Sequence, residues 1–153
     1  MTGKRLLSAV LLIAAGSFAA DFLTKRYALS HNISITANRG ISFGFLAGNA
    51  GNAALTLSFL AAFFLFLLLV CSCKKQMSAE SLASSLMLGG ALGNLYDRLV
   101  FGNVIDWFSA PLVSEISGRA IFMNAADVFI IAGFAILTLS FLRKTAGHSK
   151  KQK

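Results

Sequence analysis

Four apolar blocks, separated by polar segments, dominate the pattern of hydrophobic and polar positions along the chain. From this pattern we predict helices over about residues 6–23, 53–73, 81–97 and 125–142. Each block is close to the roughly 17 to 25 residues with which a helix spans a bilayer. Backbone N–H and C=O groups in lipid must be satisfied within the segment, as a helix does. The pattern therefore predicts an all-α membrane protein built as a four-transmembrane-helix bundle.

The composition agrees with a membrane protein of one domain. The chain has 153 residues, of which 56% are hydrophobic and only 13% are charged, whereas about a quarter of the residues of a soluble protein are charged. Its mean hydropathy is +0.72. We assign residues 1–145 to a single membrane domain and residues 146–153 to a basic cytoplasmic tail. The polar sequence of residues 143–153, "RKTAGHSKKQK", predicts disorder.

The net charge of +8 is distributed in a way that indicates topology rather than nucleic-acid binding. Basic residues flank the predicted helices in three places: before the first helix, between the second and third, and after the fourth (Lys4, Arg5; Lys74, Lys75; Arg143, Lys144, Lys150, Lys151, Lys153). With four spans these three regions share one side, which the positive-inside rule makes cytoplasmic. Both termini are then cytoplasmic, and the basic residues favour anionic lipid headgroups.

Residues 1–21 also have the features of a cleavable signal peptide, namely a basic start, an apolar stretch and small residues at the end. Cleavage would leave three spans and would place the basic loop and the basic tail on opposite sides. The charge pattern therefore favours a retained first helix. Neither a metal nor another cofactor is predicted, because His31 and His148 form no ligand cluster and the chain has no P-loop or dinucleotide fingerprint.

Four of the six acidic residues map to the predicted outer ends of helices or to the adjoining loop: Asp21, Asp97, Asp106 and Asp127. A charged side chain inside the hydrocarbon costs at least about 2.5 to 3.5 kcal/mol by insertion scales, and such residues need partners or a wet cavity. A group of aspartates beside apolar helices at one membrane surface therefore predicts a functional site.

The spacing of the polar residues assigns some of their partners. Asp21 and Lys25 are four residues apart, which predicts an ion pair on one helix face. Asn94, Asp97 and Arg98 follow the i, i+3, i+4 spacing and share a face near the outer end of the third helix. Simple anchoring of helix ends and loops would also explain these pairs.

Small residues and caps indicate how the helices begin and pack. Gly89 and Gly93 form a small-xxx-small pair, which permits close approach of another helix. Asn124 precedes the fourth helix and is a candidate N-cap, so Asp127 falls in the first turn, where the helix dipole favours a carboxylate.

Asp106 lies in an alternating piece, either strand-like or a loop, without a basic residue close in sequence. If it meets Asp127 in space, the two carboxyl groups will share a proton, because like charges that close cannot both ionise easily. Such a pair suits the activation of water against a peptide carbonyl. Spacing leaves open whether the two aspartates meet, and a small transporter or a non-catalytic assembly subunit are the alternative interpretations.

Taken together, five segments of the chain resemble the lipoprotein signal peptidase family, signal peptidase II. They occur in the family's order and span nearly the whole chain: "DFLTK" at 21–25, "NRGISFG" at 38–44, "GGALGNLYDR" at 89–98, "GNVIDWF" at 102–108 and "NAAD" at 124–127. One segment would be weak evidence, but five in order on a predicted four-span topology are specific.

The resemblance implies an intramembrane aspartic endopeptidase that removes the signal peptide from diacylglyceryl-modified prolipoproteins, just before the lipidated cysteine. It implies that Asp106 and Asp127 are the catalytic pair and that Asp21 and Lys25 are an ion pair with a structural or positioning role. It further implies a set of residues that bind substrate or support the site: Asn38, Gly90, Asn94, Asp97, Arg98 and Asn124.

The resemblance also implies a fold, a location and partners. A small extracytoplasmic β-cradle would come largely from residues 28–52, where "HNISITANRG" has strand-like alternation, and a cover loop from about residues 106–121. The protein would be a monomer in the bacterial cytoplasmic (inner) membrane, with its active site at the extracytoplasmic face and no cofactor. Its partners would be lipid-modified prolipoprotein, membrane lipids and globomycin-type inhibitors.

Overall fold

The computed structural model describes residues 3–38, 51–72, 77–118 and 120–149. The chain is mostly helical, with two small antiparallel sheets of two strands each. The helices are α1 Gly3–Ser30, α2 Gly51–Ser72, α3 Ala79–Phe101, α4 Pro111–Ser117 and α5 Ala125–Ser149. The strands are β1 Thr36–Asn38, β2 Val104–Asp106, β3 Phe108–Ser109 and β4 Phe122–Met123. The predicted helical class with a small β element is therefore confirmed.

Helix α3 lies at the centre of the bundle and packs against α1, α2 and α5. Its glycines make this possible, because a Cβ at Gly89 would overlap the Ala14 carbonyl oxygen of α1, and a Cβ at Gly93 would overlap the Asp21 carboxylate. The predicted close approach at this glycine pair is confirmed. Apolar side chains of α1, α2 and α3 form the core beside it: Leu6, Val10, Ala14, Ala62, Leu88, Ala91 and Leu95.

The helices are longer than the apolar blocks that predict them. Helix α1 continues beyond residue 23 to Ser30, and α3 continues beyond residue 97 to Phe101. The predicted ends lie just before the basic residues Lys25 and Arg98, whereas a formed helix propagates through residues whose charges find partners. Helix α5 runs to Ser149, so the prediction of disorder is wrong for residues 143–149; residues 150–153 lie outside the described residues.

Two helices in the described parts of the chain are long and apolar enough to cross a membrane, Leu6–Ser30 and Ala125–Ala146. Helix α2 contains a shorter apolar segment, Leu57–Phe66. The four-span count and the orientation of the bundle stay predictions. Much of the basic charge behind the orientation, at Lys74, Lys75, Lys150, Lys151 and Lys153, lies outside the described residues.

The two small sheets lie where α1 and α3 end and where α5 begins. Strand β1 pairs with β2 in the register Thr36↔Asp106, and β3 pairs with β4 in the register Phe108↔Met123. Of the two alternatives for the piece around Asp106, a strand or a loop, the structure has the strand. Of the segment predicted to form most of a cradle, residues 31–38 contribute β1, whereas residues 39–50 lie outside the described residues.

A short helix occupies the segment predicted to be a cover loop. Helix α4 begins at Pro111, which stands in the first turn. It ends before Gly118, whose φ of 69° is left-handed. Proline suits a first turn because the backbone N–H that it lacks would have no helical partner there, and glycine suits the left-handed end. These two breakers therefore delimit a helix that connects β3 to β4.

Candidate active site

Asp106 ends strand β2, and only 2% of its surface is exposed. The side-chain amide of Asn38, on the paired strand β1, donates a hydrogen bond of 3.1 Å to Asp106 Oδ2. Strand β2 is attached to α3 as well, because the Ile105 N–H donates to Asp97 Oδ2 over 3.1 Å. A carboxylate at the end of this short strand is therefore fixed from two sides.

Asp127 occupies the first turn of α5 and shares a capping box with Asn124. The Asp127 N–H donates to Asn124 Oδ1 over 3.1 Å, and the Asn124 N–H donates to Asp127 Oδ2 over 3.2 Å. Reciprocal bonds of this kind satisfy donors that a helix N-terminus otherwise leaves without partners. The predicted cap and first-turn position are thus observed, and they hold the Asp127 carboxylate at the start of the helix.

Two side-chain amides connect the carboxyl groups of Asp106 and Asp127. Asn124 Nδ2 donates to Asp106 Oδ1 over 2.7 Å and to Asn94 Oδ1 over 3.1 Å. Asn94 Nδ2 in turn donates to Asp127 Oδ1 over 3.1 Å. The structure therefore brings together the two aspartates that the sequence spacing left apart, 21 positions from each other. Their catalytic role stays a prediction.

The ionisation of Asp106 reflects this environment. Burial and, to a smaller extent, the negative charge of Asp127 raise the pKa of Asp106 from its ordinary value of 3.8 to about 7. The hydrogen bonds from Asn38 and Asn124 and the positive charge of Lys25 lower it. Burial disfavours the charged carboxylate, and donors and cations favour it. Near neutral pH Asp106 is therefore poised between its protonated and ionised forms.

Behind the two aspartates lies a buried network centred on Lys25, of which 2% is exposed. Lys25 Nζ lies 2.6 Å from Asp21 Oδ2, the ion pair that the spacing predicts, and 2.8 Å from Asp97 Oδ2. It also donates to Asn94 Oδ1 over 3.1 Å. The lysine thus connects α1 with two residues of α3, one of which contacts Asp127.

Asp21 fixes the start of α5 as well. Its Oδ1 accepts a hydrogen bond of 2.8 Å from the Ala126 N–H, one residue before Asp127. A carboxylate at this place is favoured by the helix dipole. Gly90 of α3 lies against the same turn, because a Cβ there would come within 2.5 Å of the Ala126 carbonyl oxygen. Gly90 therefore permits close packing beneath Asp127.

Arg98 lies one helical turn beyond Asn94 on α3. One terminal guanidinium nitrogen donates to the Asn94 carbonyl oxygen over 3.2 Å, and its charge interacts with Asp127, Asp106 and Asp97. A guanidinium has donors only and stays charged. Arg98 thus provides a cation at the edge of the aspartate site.

The two aspartates open into one cavity of about 540 Å³. Its polar end is formed by the site residues Asn38, Asn94, Arg98, Asp106 and Asp127. The rest of the wall is almost wholly apolar and comes from α2, α3, α5 and the small sheets: Leu57, Ser58, Ala61, Phe64, Leu65, Met87, Ala91, Val104, Phe122, Ile130 and Ile131. The cavity therefore combines a carboxylate pair with space for an apolar chain.

The sequence did not reveal that α2 lines this cavity. Leu57, Ala61 and Phe64 belong to an apolar block that contains no feature distinguishing cavity-lining positions from lipid-facing ones. The contacts of Lys25 with Asn94 and Asp97 were missed as well, since those residues lie about 70 positions away. Within the described ranges, no group of three His, Cys, Asp or Glu side chains is placed to hold a metal ion.

Solved structures share this fold. One, titled "Bacterial membrane enzyme structure by the in meso method at 2.3 A resolution", aligns with a TM-score of 0.73 at 23% identity and covers 92% of this chain and 91% of its own. A second, with the same title except for 1.9 Å resolution, aligns with a TM-score of 0.66 at 24% identity, over 88% of this chain and 93% of its own. The architecture is therefore that of helical bacterial membrane enzymes.

Sequence comparison identifies the family. The family described as "Signal peptidase (SPase) II" matches residues 13–143. A lipoprotein signal peptidase of Nitrobacter hamburgensis is 36% identical over 73% of this chain and 70% of the relative. One of Dichelobacter nodosus is 31% identical over 90% of this chain and 96% of the relative. The chain belongs to the signal peptidase II family, as its motifs indicate.

Proposed function

We propose that this protein is an intramembrane aspartic endopeptidase in which Asp106 and Asp127 together activate the water that cleaves a peptide bond. The observation that carries the proposal is the bridge between them, in which Asn124 donates to Asp106 and Asn94 donates to Asp127, at the polar end of one cavity. Two carboxyl groups held at one site, with one proton between them, are the chemical requirement of this reaction.

In the proposed mechanism Asp127 is the general base and Asp106 is the general acid. The Asp127 carboxylate takes a proton from water as the water oxygen bonds to the scissile carbonyl carbon, and protonated Asp106 gives its proton to the carbonyl oxygen. As the tetrahedral diol collapses, the C–N bond breaks, one hydroxyl returns its proton to Asp106, and the leaving nitrogen takes the proton held by Asp127. The raised pKa of Asp106, about 7, supports its role as the acid at neutral pH.

The proposed substrate is a prolipoprotein whose cysteine carries diacylglycerol, cleaved just before that cysteine. The names of the relatives, lipoprotein signal peptidases, support this substrate class. The apolar wall of the cavity suits the end of a signal peptide, and Asn38 and Arg98 beside the aspartates provide donors for its backbone. The acyl chains would stay in the surrounding lipid while the scissile bond enters the cavity.

We place the enzyme in the bacterial cytoplasmic membrane as a four-span monomer, with the site at the extracytoplasmic face. The long apolar helices α1 and α5 support membrane insertion, and α2 and α3 would complete the bundle. The aspartates stand at the ends of α3 and β2 and the start of α5, where water can reach them without full entry into the hydrocarbon. Globomycin-type inhibitors would occupy the same cavity.

The decisive experiment is cleavage of a diacylglyceryl-modified prolipoprotein by the purified full-length protein in detergent. We expect cleavage by the wild type and its loss in Asp106→Asn and in Asp127→Asn. The matched control is Glu80→Gln, because Glu80 pairs with Ser140 and Lys144 away from the cavity; this variant should cleave normally. Folded wild-type protein that leaves a verified lipidated substrate intact would refute the proposal.

A further inference from the structure

Lys25 makes more contacts than a structural ion pair needs. Besides Asp21, its Nζ reaches Asp97 Oδ2 at 2.8 Å and Asn94 Oδ1 at 3.1 Å, and the residue is almost fully buried. An ammonium group has three donors and no acceptor. Two of them serve carboxylates, and the third is directed at the side chain that contacts Asp127.

This third contact decides which way the Asn94 amide faces. An asparagine amide has one acceptor oxygen and one donor NH2 group. Its Oδ1 receives hydrogen bonds from both Lys25 Nζ and Asn124 Nδ2, each at 3.1 Å, and its Nδ2 therefore faces Asp127 Oδ1. A rotated amide would place its NH2 against two donors and its oxygen against a carboxylate. Lys25 thus contributes to holding a donor on Asp127.

We propose that Lys25 is a positioning residue of the catalytic pair, which acts through the Asn94 amide to fix the orientation of the Asp127 carboxylate. The inference rests on the proposed peptidase function, in which Asp127 must face both water and the scissile carbonyl. Reacting groups held in the right geometry account for a large part of enzymatic rate enhancement, and small displacements cost on the order of 10²-fold in rate.

The charge of Lys25 acts on the pair as well. It lowers the pKa of Asp106, whereas burial and the negative charge of Asp127 raise that pKa. The other charged groups of this region are Arg98 on α3, which interacts with both aspartates of the pair, and Asp21 and Asp97, which Lys25 contacts directly. The α2 side chains that line the cavity carry no charge. Removal of Lys25 should therefore raise the pKa of Asp106 above about 7 and move the alkaline limb of the pH–rate profile to higher pH.

The first test is a double-mutant cycle with Lys25→Met and Asn94→Ala, measured with the lipidated substrate. We expect Lys25→Met to lower kcat on the order of 10²-fold with a much smaller change in KM. In the Asn94→Ala background the same substitution should lower kcat only slightly, because the route to Asp127 is already cut. Losses that multiply independently would overturn the proposal, since they would show that Lys25 does not act through Asn94.

A matched control separates positioning from general loss of a lysine–carboxylate pair. Lys144 pairs with Glu80 and connects α3 with α5, as Lys25 connects α1 with α3, but it lies away from the cavity. Lys144→Met should therefore leave kcat and the pH–rate profile unchanged. A loss in Lys144→Met equal to that in Lys25→Met would contradict a specific role for Lys25.

Lys25→Met leaves two buried carboxylates without their cation and could fail to fold for that reason. A second variant keeps the test valid in that case. Asp21→Asn/Lys25→Met removes one charge of each sign, and Asn at position 21 retains an oxygen for the Ala126 N–H. We expect this protein to fold and still to show the kcat loss and the shifted profile, whereas Asp21→Asn alone should show much less of either. Equal kcat and profile in the double and the single variant would overturn the proposal.

A measurement independent of turnover distinguishes this proposal from the function on which it rests. Carboxyl titration by pH-difference infrared spectroscopy, with Asp106→Asn to assign the signal, reports the ionisation of Asp106 directly. We expect the Asp106 carboxyl group to ionise at higher pH in Asp21→Asn/Lys25→Met than in Asp21→Asn. If the wild type is inactive but the two variants differ in this way, the peptidase function is refuted and the influence of Lys25 on Asp106 stands. If the wild type is active but the variants differ neither in Asp106 ionisation nor in kcat, the positioning role of Lys25 is refuted.

Discussion

The side-chain amide of Asn124 donates a hydrogen bond of 2.7 Å to Asp106 Oδ1, from the cap of α5 to a strand residue eighteen positions earlier. The same amide nitrogen donates to Asn94, and the Asn124 oxygen accepts from the Asp127 N–H. One buried asparagine is thus both the helix cap beneath one aspartate and a hydrogen-bond donor to the other. This relationship makes Asn124 a sensitive point of the site.

Substitution of Asn124 should reduce activity and change its pH dependence. In Asn124→Ala, Asp106 loses a hydrogen bond that lowers its pKa, so the pKa should rise above about 7 and the alkaline limb of the pH–rate profile should move to higher pH. We expect kcat to fall on the order of 10²-fold because both carboxyl groups lose their orientation. Loss of the cap should also cost about 1 kcal/mol in the free energy of unfolding.

Asn103→Ala is the control for this prediction. Asn103 belongs to the segment that leads into β2, but its side chain donates to the Phe101 carbonyl oxygen and not to either aspartate. Its removal should leave the pH–rate profile unchanged. An Asn124→Ala enzyme with the wild-type profile would show that the hydrogen bond to Asp106 does not influence its ionisation.

The raised pKa of Asp106 predicts a pH dependence of stability. Because its folded pKa of about 7 exceeds the ordinary value of 3.8, the folded state holds the proton more tightly, and the free energy of unfolding falls as the pH rises between these values. At about 1.36 kcal/mol per pH unit, this amounts to roughly 4 kcal/mol. Asp106→Asn cannot ionise, so thermal unfolding in detergent should show a smaller loss of stability from pH 5 to pH 8 than in the wild type.

Glu80→Gln provides the comparison for that experiment. The Glu80 carboxylate accepts hydrogen bonds from Lys144 and Ser140, which lower its pKa to about 2. It is ionised throughout the range from pH 5 to pH 8, and its removal should not change the slope of stability against pH. Equal slopes in wild type and Asp106→Asn would show that Asp106 ionises near its ordinary pKa in the folded protein.

One glycine of α3 and one of α1 predict opposite effects of Gly→Ala substitution. A Cβ at Gly89 would overlap the Ala14 carbonyl oxygen and Ser17 of α1, so Gly89→Ala should lower the free energy of unfolding by about 1–3 kcal/mol through overpacking. At Gly16 nothing lies within 4 Å of such a Cβ. Gly16→Ala should therefore stabilise α1 by up to about 1 kcal/mol through helix propensity. Thermal unfolding of both variants measures these changes. Equal changes in the free energy of unfolding would contradict the observed helix packing.

The two lysine–carboxylate pairs between helices should differ in their contribution to stability. Lys25 is buried with two carboxylates, and truncation of one partner in a buried pair typically costs about 3–5 kcal/mol. The Lys144 side chain is 66% exposed, and exposed pairs typically contribute about 0–1 kcal/mol. Chemical or thermal unfolding of Lys25→Met and Lys144→Met should show this difference. Similar losses in both would contradict the burial of the Lys25 network.

Much of the fold follows from local rules. The apolar blocks predict the long helices, because burial in lipid or in a helical core requires internal backbone hydrogen bonds. The i, i+4 spacing predicts the pair of Asp21 with Lys25, and the Asn124 cap predicts the place of Asp127 in the first turn of α5. Helix ends were predicted less well, since α1 and α5 continue through charged residues that an apolar pattern excludes but a helix tolerates.

The sequence alone also determined the family, because its motifs keep their residue types, order and spacing. Contacts between residues far apart in the sequence became visible in the tertiary structure. The register of β1 with β2 brings Asn38 to Asp106, the packing of α3 against α1 brings Lys25 to Asn94, and α2 forms part of the cavity wall. Spacing along one helix fixes neighbours within a few turns, whereas contacts between elements depend on how side chains of all helices fit together. The meeting of Asp106 and Asp127 is of this second kind.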